Sequence, residues 1–199
     1  RYAYELLSFD FDFAPTVLEE ILNLLLMEKD YHALSEMYSA KAVRADRESL
    51  INLMRICQLA GLSSIDILDD IVREAARTLL SYRRQEKITA AQEQIASNAI
   101  VGSLLRLRSM TMKNLPNGKV AICGSFSEGV PDVILCGASY LLEDVGWRVY
   151  DLGSKVLLGP FLHSIEKHSP KLICISYDHG VLEGELPTEA GTIIDAAKR

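Results

Sequence analysis

Two polar segments contain the side chains best suited to chemistry, CGSFSEGVPD at 123–132 and SYDHG at 176–180. The hydroxyl, carboxylate and imidazole groups that could contact a ligand there are those of Ser125, Ser127, Glu128, Ser176 and His179. Small residues before a helix can offer backbone amides to an anion. The glycine spacing fits neither a dinucleotide fingerprint nor a P-loop, however, and Glu128 and Asp132 would repel phosphate. The pattern is therefore only a weak signal of phosphate binding.

The same segments invite a hydrolase hypothesis, with Asp178 and His179 beside Ser125 or Ser127. A nucleophilic serine of the hydrolase type needs a strand-turn-helix elbow of the form G-x-S-x-G, and the sequence lacks it. We therefore do not expect an enzyme.

The elements that would position these residues are short apolar runs alternating with helical patterns between 119 and 177. Such alternation predicts right-handed crossovers and a parallel sheet, which binds ligands in the loops beyond its strand ends. The loops to search are 124–131, 153–160 and 176–187. Only three strands are present where doubly wound domains need about five, so we expect the sheet to be incomplete within this sequence.

The preceding part, 15–113, shows apolar residues at helical spacing and no strand pattern, which predicts a helical bundle. Ser63 or Ser64 is a natural N-cap, Gly61 a natural helix end, and Thr89 the cap of a long helix reaching Met112. The turn cluster NLPNGK at 114–119 separates the bundle from an α/β domain at 119–199. Residues 1–14, which alternate Phe with Ser and Asp, are predicted to be a tail or docking segment.

Composition narrows the classes of function. The 199 residues carry a net charge of -6, which argues against direct nucleic-acid binding. No apolar run is long enough to span a bilayer. The four cysteines lack metal-type spacing, which favours buried free thiols in a cytoplasmic protein. Because the chain begins with Arg1 instead of Met, we expect it to be part of a longer protein.

Three segments resemble the cobalamin-binding module of light-responsive, MerR-type bacterial transcriptional regulators. They are QEKITAAQEQIASNAIVGSLL at 85–105, GWRVYDLG at 146–153 and ICIS at 173–176, and the resemblance extends over roughly 50–199. It implies a helical bundle over the upper face of the corrin and a flavodoxin-like, doubly wound parallel sheet under the lower face. Corrinoid carriers of methyltransferases resemble the sequence less closely.

The resemblance also places ligand contacts on individual residues. The cobalt-ligating histidine falls on Pro131, with Gly129 in the acidic position and Ile134 in the glycine position. On the helical side, the family's Glu-His pair falls on Glu93 and Gln94, and its tryptophan near Tyr82 or Arg83. Ser176 occupies the place that contacts the buried cofactor tail. Since neither Pro131 nor Gln94 can replace imidazole as a cobalt ligand, histidine-ligated cobalamin is not expected.

The resemblance implies a non-catalytic sensory or regulatory module whose ligand binding is altered or lost. Its output would be self-association as a homo-oligomer, or changed contacts of an attached DNA-binding or signalling domain. The alternative is a corrinoid-carrying subunit of a methyltransferase system. The identity of the cofactor stays open: it could be cobalamin held without histidine or another planar tetrapyrrole. No membrane partner is expected.

Overall fold

The computed structural model describes residues 15–110, 114–126, 133–177 and 188–197. The chain divides into two compact units, Arg1–Met110 and Thr111–Arg199. The described part of the first unit is helical, and that of the second combines a parallel sheet with helices. The predicted tail at 1–14 lies outside the described residues.

Five helices make up the described part of the first unit. They are α1 (Pro15–Met27), α2 (Tyr31–Val43), α3 (Arg47–Leu59), α4 (64–84) and α5 (Ala90–Met110). Their starts are set by side chains that accept hydrogen bonds from otherwise unpaired backbone amides. The carboxylate of Asp30 accepts from the amide of Ala33 at 3.0 Å, and that of Asp46 from Ser49 at 3.1 Å.

Two of the predicted helix starts are confirmed. Ser63 and Asp66 form a reciprocal capping box at the start of α4. At the start of α5, the Thr89 hydroxyl accepts from the amide of Gln92 at 3.2 Å, while the Gln92 side chain accepts from the Thr89 amide at 2.9 Å. The predicted end of α5 at Met112 lies outside the described residues, and the described helix ends at Met110.

Helix α4 is not uniform, which the sequence analysis did not anticipate. Its α-helical start Ser64–Asp66 and end Arg73–Arg84 flank a π-helical segment, Ile67–Val72. The wider π turn lets two adjacent apolar pairs share one buried face, and these four residues are all buried: Ile67, Leu68, Ile71 and Val72. The segment ILDDIV thus buries more apolar surface than a regular α-helix would.

The core of the first unit is largely apolar and includes a buried contact between two hydroxyls. Leu34, Leu50, Met54, Ile100 and Leu104 are fully buried. The hydroxyl of Tyr38, also fully buried, shares a 2.9 Å hydrogen bond with that of Ser103. Buried hydroxyls are tolerated when they are paired, so this contact lets a tyrosine fill the core without leaving a polar atom unsatisfied.

The second unit contains a parallel sheet of three strands, β1 (Val120–Ser125), β2 (Arg148–Asp151) and β3 (Leu172–Ser176). Their order across the sheet is β2-β1-β3. Three helices accompany it: α6 (Val133–Asp144), α7 (Leu158–His168) and α8 (Thr188–Ala197). Ile122 of β1 packs with Phe161 and Ile165 of α7 and Ile193 of α8. Its neighbour Cys123 points to the opposite face, where it meets Ser139 of α6. The sheet therefore has helices on both faces, which confirms the predicted α/β fold with a helical N-terminal part.

The turn segment at 114–119, which the sequence analysis assigned to a linker, is bound to the second unit. The side-chain amide of Asn117 donates to the carbonyl of Val145 at 2.9 Å, and its backbone amide donates to the carbonyl of Gly146 at 2.9 Å. Asn114 likewise donates to the carbonyl of Asp144. These bonds tie the segment to the turn between α6 and β2.

Apolar residues on more than one side of α4 would predict self-association if they were exposed. Leu68, Ile71, Val72 and Leu79 are all buried within the first unit, while Ile65 and Leu80 are 59% and 36% exposed. Self-association therefore needs another surface and stays a prediction. No helix in the described ranges is long and apolar enough to cross a membrane.

We expect Gly146→Ala to destabilise the second unit more than Gly118→Ala. Both glycines have positive φ, +84° and +75°, so alanine costs each site about 1–2 kcal/mol of backbone strain. Only at Gly146 would the new Cβ also overlap the Leu115 carbonyl oxygen, adding about 1–3 kcal/mol. Urea denaturation of both variants measures the difference, and equal losses would show that the contact with Leu115 does not constrain the turn.

Candidate functional site

The carboxyl ends of β1 and β3 bring two of the predicted site residues together. Ser125 and Ser176 are partners in register, and the buried Ser125 hydroxyl donates to the Ser176 carbonyl at 3.4 Å. The amide of Phe126 donates to the same carbonyl at 3.1 Å. The Ser125 hydroxyl is thus directed at the backbone of the neighbouring strand. Ser127, Glu128, Pro131 and His179 lie outside the described residues.

The motif GWRVYDLG folds into β2 and a tight turn that is bonded to the end of β1. The Asp151 carboxylate accepts from the amide of Gly153 at 2.9 Å, and Gly153 has a φ of +76°. The Gly153 carbonyl accepts from the amide of Ser125 at 2.9 Å, and the Ser125 carbonyl accepts from Val156 at 3.0 Å. The turn therefore holds the end of β1 on one side while β3 holds it on the other.

An aromatic cluster lies just beyond the strand ends and was missed by the sequence analysis. The ring of Phe126 stacks on that of Tyr177, with centroids 5.4 Å apart and planes inclined by 13°. Phe126 also contacts Phe161, at 5.6 Å between centroids. Phe126 and Tyr177 each directly follow a predicted strand-end serine, so their positions were visible in the sequence. The stacked rings directly follow the carboxyl ends of β1 and β3, the part of the sheet beside which sheets of this type bind ligands.

Gly124 is required by the close approach of Phe161 to β1. A Cβ built on Gly124 would lie 2.8 Å from Cε2 of Phe161, and that ring is fully buried. The absence of a side chain at this position allows the ring to lie against the strand. Gly124 therefore determines how closely the Phe161 ring of the aromatic cluster packs against β1.

On the helical unit, Arg83 and Glu93 are paired. The Arg83 guanidinium lies 3.8 Å from the Glu93 carboxylate, whose side chain is 14% exposed while that of Arg83 is 44% exposed. Gln94, the next residue of α5, is partly buried. An ion pair with one exposed partner contributes little to stability, so its effect is mainly to orient Glu93.

A buried carboxylate near these residues was not anticipated. Glu36 of α2, at 6% exposure, accepts hydrogen bonds from the Tyr82 hydroxyl at 2.9 Å and the Thr78 hydroxyl at 3.4 Å. Lys87 places its ammonium 5.2 Å from the centroid of the Tyr82 ring. Tyr82, near the position of the tryptophan in the resembling family, is thus held by α2 through its hydroxyl. The sign of this contact in the sequence is a glutamate within a helical pattern. Most such glutamates are exposed, so the sign is weak.

The described residues do not form a metal site. Nowhere in 15–110, 114–126, 133–177 or 188–197 do three or more His, Cys, Asp or Glu side chains gather around a point that could hold an ion. His32 and His163 are exposed. His168 stacks on Tyr150, with ring centroids 3.7 Å apart. The stack places His168 against β2 and does not involve the strand-end edge formed by Ser125 and Ser176.

Comparison with known proteins finds similarity in structure alone. No protein-family model matches the sequence, and no curated protein matches it. Among solved structures, the monomethylamine corrinoid protein of Methanosarcina barkeri is similar with a TM-score of 0.61 and 17% identity, over 83% of this chain and 76% of that one.

Two further solved structures are similar with TM-scores too low to carry an argument. The methanol:cobalamin methyltransferase complex from Methanosarcina barkeri has a TM-score of 0.41 and 16% identity, over 85% of this chain and 71% of that one. A cobalamin-binding protein from Desulfitobacterium hafniense has a TM-score of 0.30 and 13% identity, over 89% and 74%. The first comparison shows that this chain has the fold of a corrinoid protein, helical bundle and α/β part included.

We expect Gly124→Ala to destabilise the second unit by about 1–3 kcal/mol, because the new methyl group must displace the buried Phe161 ring. Gly191→Ala is the matched control, since its Cβ would meet nothing within 4 Å and helix α8 would gain about 0.5–1 kcal/mol. Thermal unfolding followed by near-ultraviolet circular dichroism reports both stability and the packing of the rings. A Gly124→Ala protein with unchanged stability and an unchanged aromatic signal would contradict the role given to this glycine.

Proposed function

We propose that this chain is a non-catalytic sensory or regulatory module, built on the fold of a corrinoid protein, whose ligand site is altered or lost. The observation that carries the proposal is the aromatic stack of Phe126 on Tyr177, the residues that directly follow β1 and β3. A ligand that enters a doubly wound sheet does so outside the carboxyl ends of the strands. Aromatic rings packed beside these ends support a site that is altered or lost.

The residues at the two ligand positions of the resembling family do not fit a cobalamin held through cobalt. Pro131, at the position of the cobalt-ligating histidine in the resembling family, has no donor atom on its side chain. Gln94 offers only an amide oxygen where that family has a second imidazole, and amide oxygen is a poor ligand for cobalt beside imidazole. At the described end of β1, the Ser125 hydroxyl donates to the backbone of β3. The proposed function therefore does not depend on coordination of cobalt.

The state of Ser125 also supports a non-catalytic role. A nucleophilic serine needs an exposed hydroxyl with a base within hydrogen-bonding reach. The Ser125 hydroxyl is fully buried and directed at the Ser176 carbonyl, which cannot act as a base. This geometry favours a structural role for the serine.

The alternative function is that of a corrinoid-carrying subunit that serves a methyltransferase partner. The fold shared with the monomethylamine corrinoid protein supports it as well as it supports the regulatory role. What favours the regulatory role is the replacement of both imidazoles, because a carrier uses ligands around the metal to tune its reactivity. The resemblance of 88–98 to the regulators points the same way. The output would then be a change in self-association or in the contacts of an attached DNA-binding or signalling domain.

We expect hydroxocobalamin and adenosylcobalamin to bind weakly, with the cobalamin's own base still on cobalt. The reason is that neither Pro131 nor Gln94 can displace that base. Titration followed by the visible spectrum measures both affinity and ligation. Tight binding with a base-off, histidine-ligated spectrum would overturn the altered-site proposal and favour the carrier function.

A variant in which both imidazoles are restored distinguishes a ligand site that is altered from a ligand site that has been lost. If only the ligands changed, Pro131→His with Gln94→His should produce a histidine-ligated spectrum. If the aromatic stack closes the edge, the same variant should bind no better than the parent protein, and this is the result we expect. The parent protein, in which His32 and His163 are exposed, is the control for nonspecific coordination of cobalt by imidazole in the same experiment.

We also expect the protein to self-associate, since the proposed output requires contacts beyond one chain. Sedimentation velocity at tens of micromolar should show dimers or larger species. A monomer throughout that range would argue against self-association and leave an attached domain as the route of output.

A further inference from the structure

Two cysteines face each other across the central pair of strands. Cys123 of β1 and Cys174 of β3 are partners in the parallel register, so their side chains point to the same face of the sheet. Adjacent strands lie about 4.8 Å apart, within the range of Cα separations that a disulfide spans. The remaining cysteines differ in place: Cys57 is in the helical unit and Cys136 is on α6.

The surroundings give the two thiols different properties. Hydrogen bonding to Cys123 lowers the pKa of the Cys174 thiol to about 7, against the opposing effect of burial. The same hydrogen bond, followed by burial, raises the pKa of Cys123, and the nearby charge of Asp151 on β2 adds to the increase. Cys174 is also partly exposed, while Cys123 is fully buried. Cys174 is thus the accessible thiolate and Cys123 the protonated neighbour.

The hydroxyl of Ser139 completes the surroundings of Cys123. Ser139 is fully buried on α6 near Cys123, whose pKa it lowers, and its hydroxyl has no hydrogen-bond partner among the described residues. A buried hydroxyl beside a thiol can donate to a sulfur that carries negative charge. It would therefore stabilise Cys123 at the moment when that thiol loses its proton.

We propose that Cys123 and Cys174 form an oxidisable thiol pair that reacts with a hydroperoxide and closes to a reversible disulfide beneath the strand-end edge. This inference does not depend on whether the protein binds a corrinoid. It assigns a modification site to residues that the proposed function leaves unused.

The chemistry balances in two steps. The Cys174 thiolate attacks one oxygen of hydrogen peroxide, the O–O bond breaks, and the departing hydroxide takes a proton to become water, leaving a sulfenic acid on Cys174. Cys123 then attacks the sulfenic sulfur. The S–O bond breaks, its oxygen leaves as a second water with the Cys123 proton, and the S–S bond forms. Two electrons pass from the two thiols to the peroxide.

The position of the pair favours a bridge that is easily reduced. Side chains in register on adjacent parallel strands are slightly farther apart at Cβ than in an unstrained disulfide, and strained disulfides are the more readily reduced ones. The bridge would join β1 to β3 two residues before Ser125 and Ser176. Oxidation would therefore fix the spacing of the two strands directly below the aromatic stack.

Treatment of the intact protein with hydrogen peroxide tests the proposal. We expect a mass loss of two hydrogen atoms that is reversed by dithiothreitol. Trypsin alone leaves Cys123 and Cys136 on one peptide, 120–148, so digestion must add a protease that cuts after Glu128. The fragment with Cys123 should then be found linked to the fragment with Cys174. A link through Cys136, or four thiols still open to alkylation after peroxide, would overturn the proposal.

Cysteine variants assign the roles of the two thiols. Cys174→Ser should form no bridge, and Cys123→Ser should accumulate a sulfenic acid on Cys174 that a dimedone reagent traps. Cys57→Ser and Cys136→Ser are the matched controls and should bridge normally.

The parent protein gives a further test that requires no variant. At neutral pH, iodoacetamide should modify Cys174 at least about tenfold faster than Cys57, because burial raises the pKa of Cys57 to about 11. A Cys174 that reacts no faster than Cys57 would contradict its role as the attacking thiolate.

Discussion

The in-register pairing of β1 with β3 determines the position of every group at the candidate site. Because parallel strands in register carry equivalent residues side by side, one pairing brings together Cys123 with Cys174 and Ser125 with Ser176. The next step along both strands gives the stacked rings of Phe126 and Tyr177. A shift of one residue would turn each of these groups to the opposite face and separate all three pairs. The buried apolar face of β1, with Ile122 against α7, makes such a shift costly.

Packing between β1 and α7 adds the second constraint. Phe161 occupies the space that a side chain at Gly124 would fill, and Phe126 rests against Phe161. The strand-end edge is therefore supported from below by a ring that cannot move without opening the core around Ile122 and Ile165. Interiors are packed too tightly for one of these rings to shift alone. The aromatic cluster is thus part of the core of the second unit as much as it is part of the surface at the edge.

Local signals in the sequence predicted most of the fold. The caps at Ser63 and Thr89 and the three strands follow from residue types within a few positions of each other, and the structure has them. The π-helical segment Ile67–Val72 was not foreseen, because its wider turn exists only to bury two adjacent apolar pairs against neighbouring helices. Tertiary contact, which a single helix pattern does not contain, decides such features.

The candidate site was predicted less completely, and for a similar physical reason. Ser125 and Ser176 were identified from their place after strands, while the Cys123–Cys174 pair and the Phe126–Tyr177 stack depend on which residues of β1 and β3 lie opposite each other. Hydrophobic periodicity shows that a strand exists but leaves its register open. The contact of Glu36 with Tyr82 has the same origin, since it joins two helices far apart in the sequence. Once the register is known, the pairing of Cys123 with Cys174 follows from the sequence, while the contact of Glu36 with Tyr82 depends on how two helices pack.

The loss of a ligand from such a fold has a structural consequence at the sheet edge. A space shaped for a ligand and left empty costs free energy, about 24 cal/mol per Å³ of cavity in protein cores. A chain that no longer gains binding energy there is more stable when its own side chains fill the space. Phe126 and Tyr177, each one residue beyond a strand, can reach across the gap and stack without any change in the backbone of β1 or β3. Under the proposed function, the stack of Phe126 on Tyr177 would supply packing at the strand ends that a bound ligand supplies elsewhere, and the second unit would keep its fold without one.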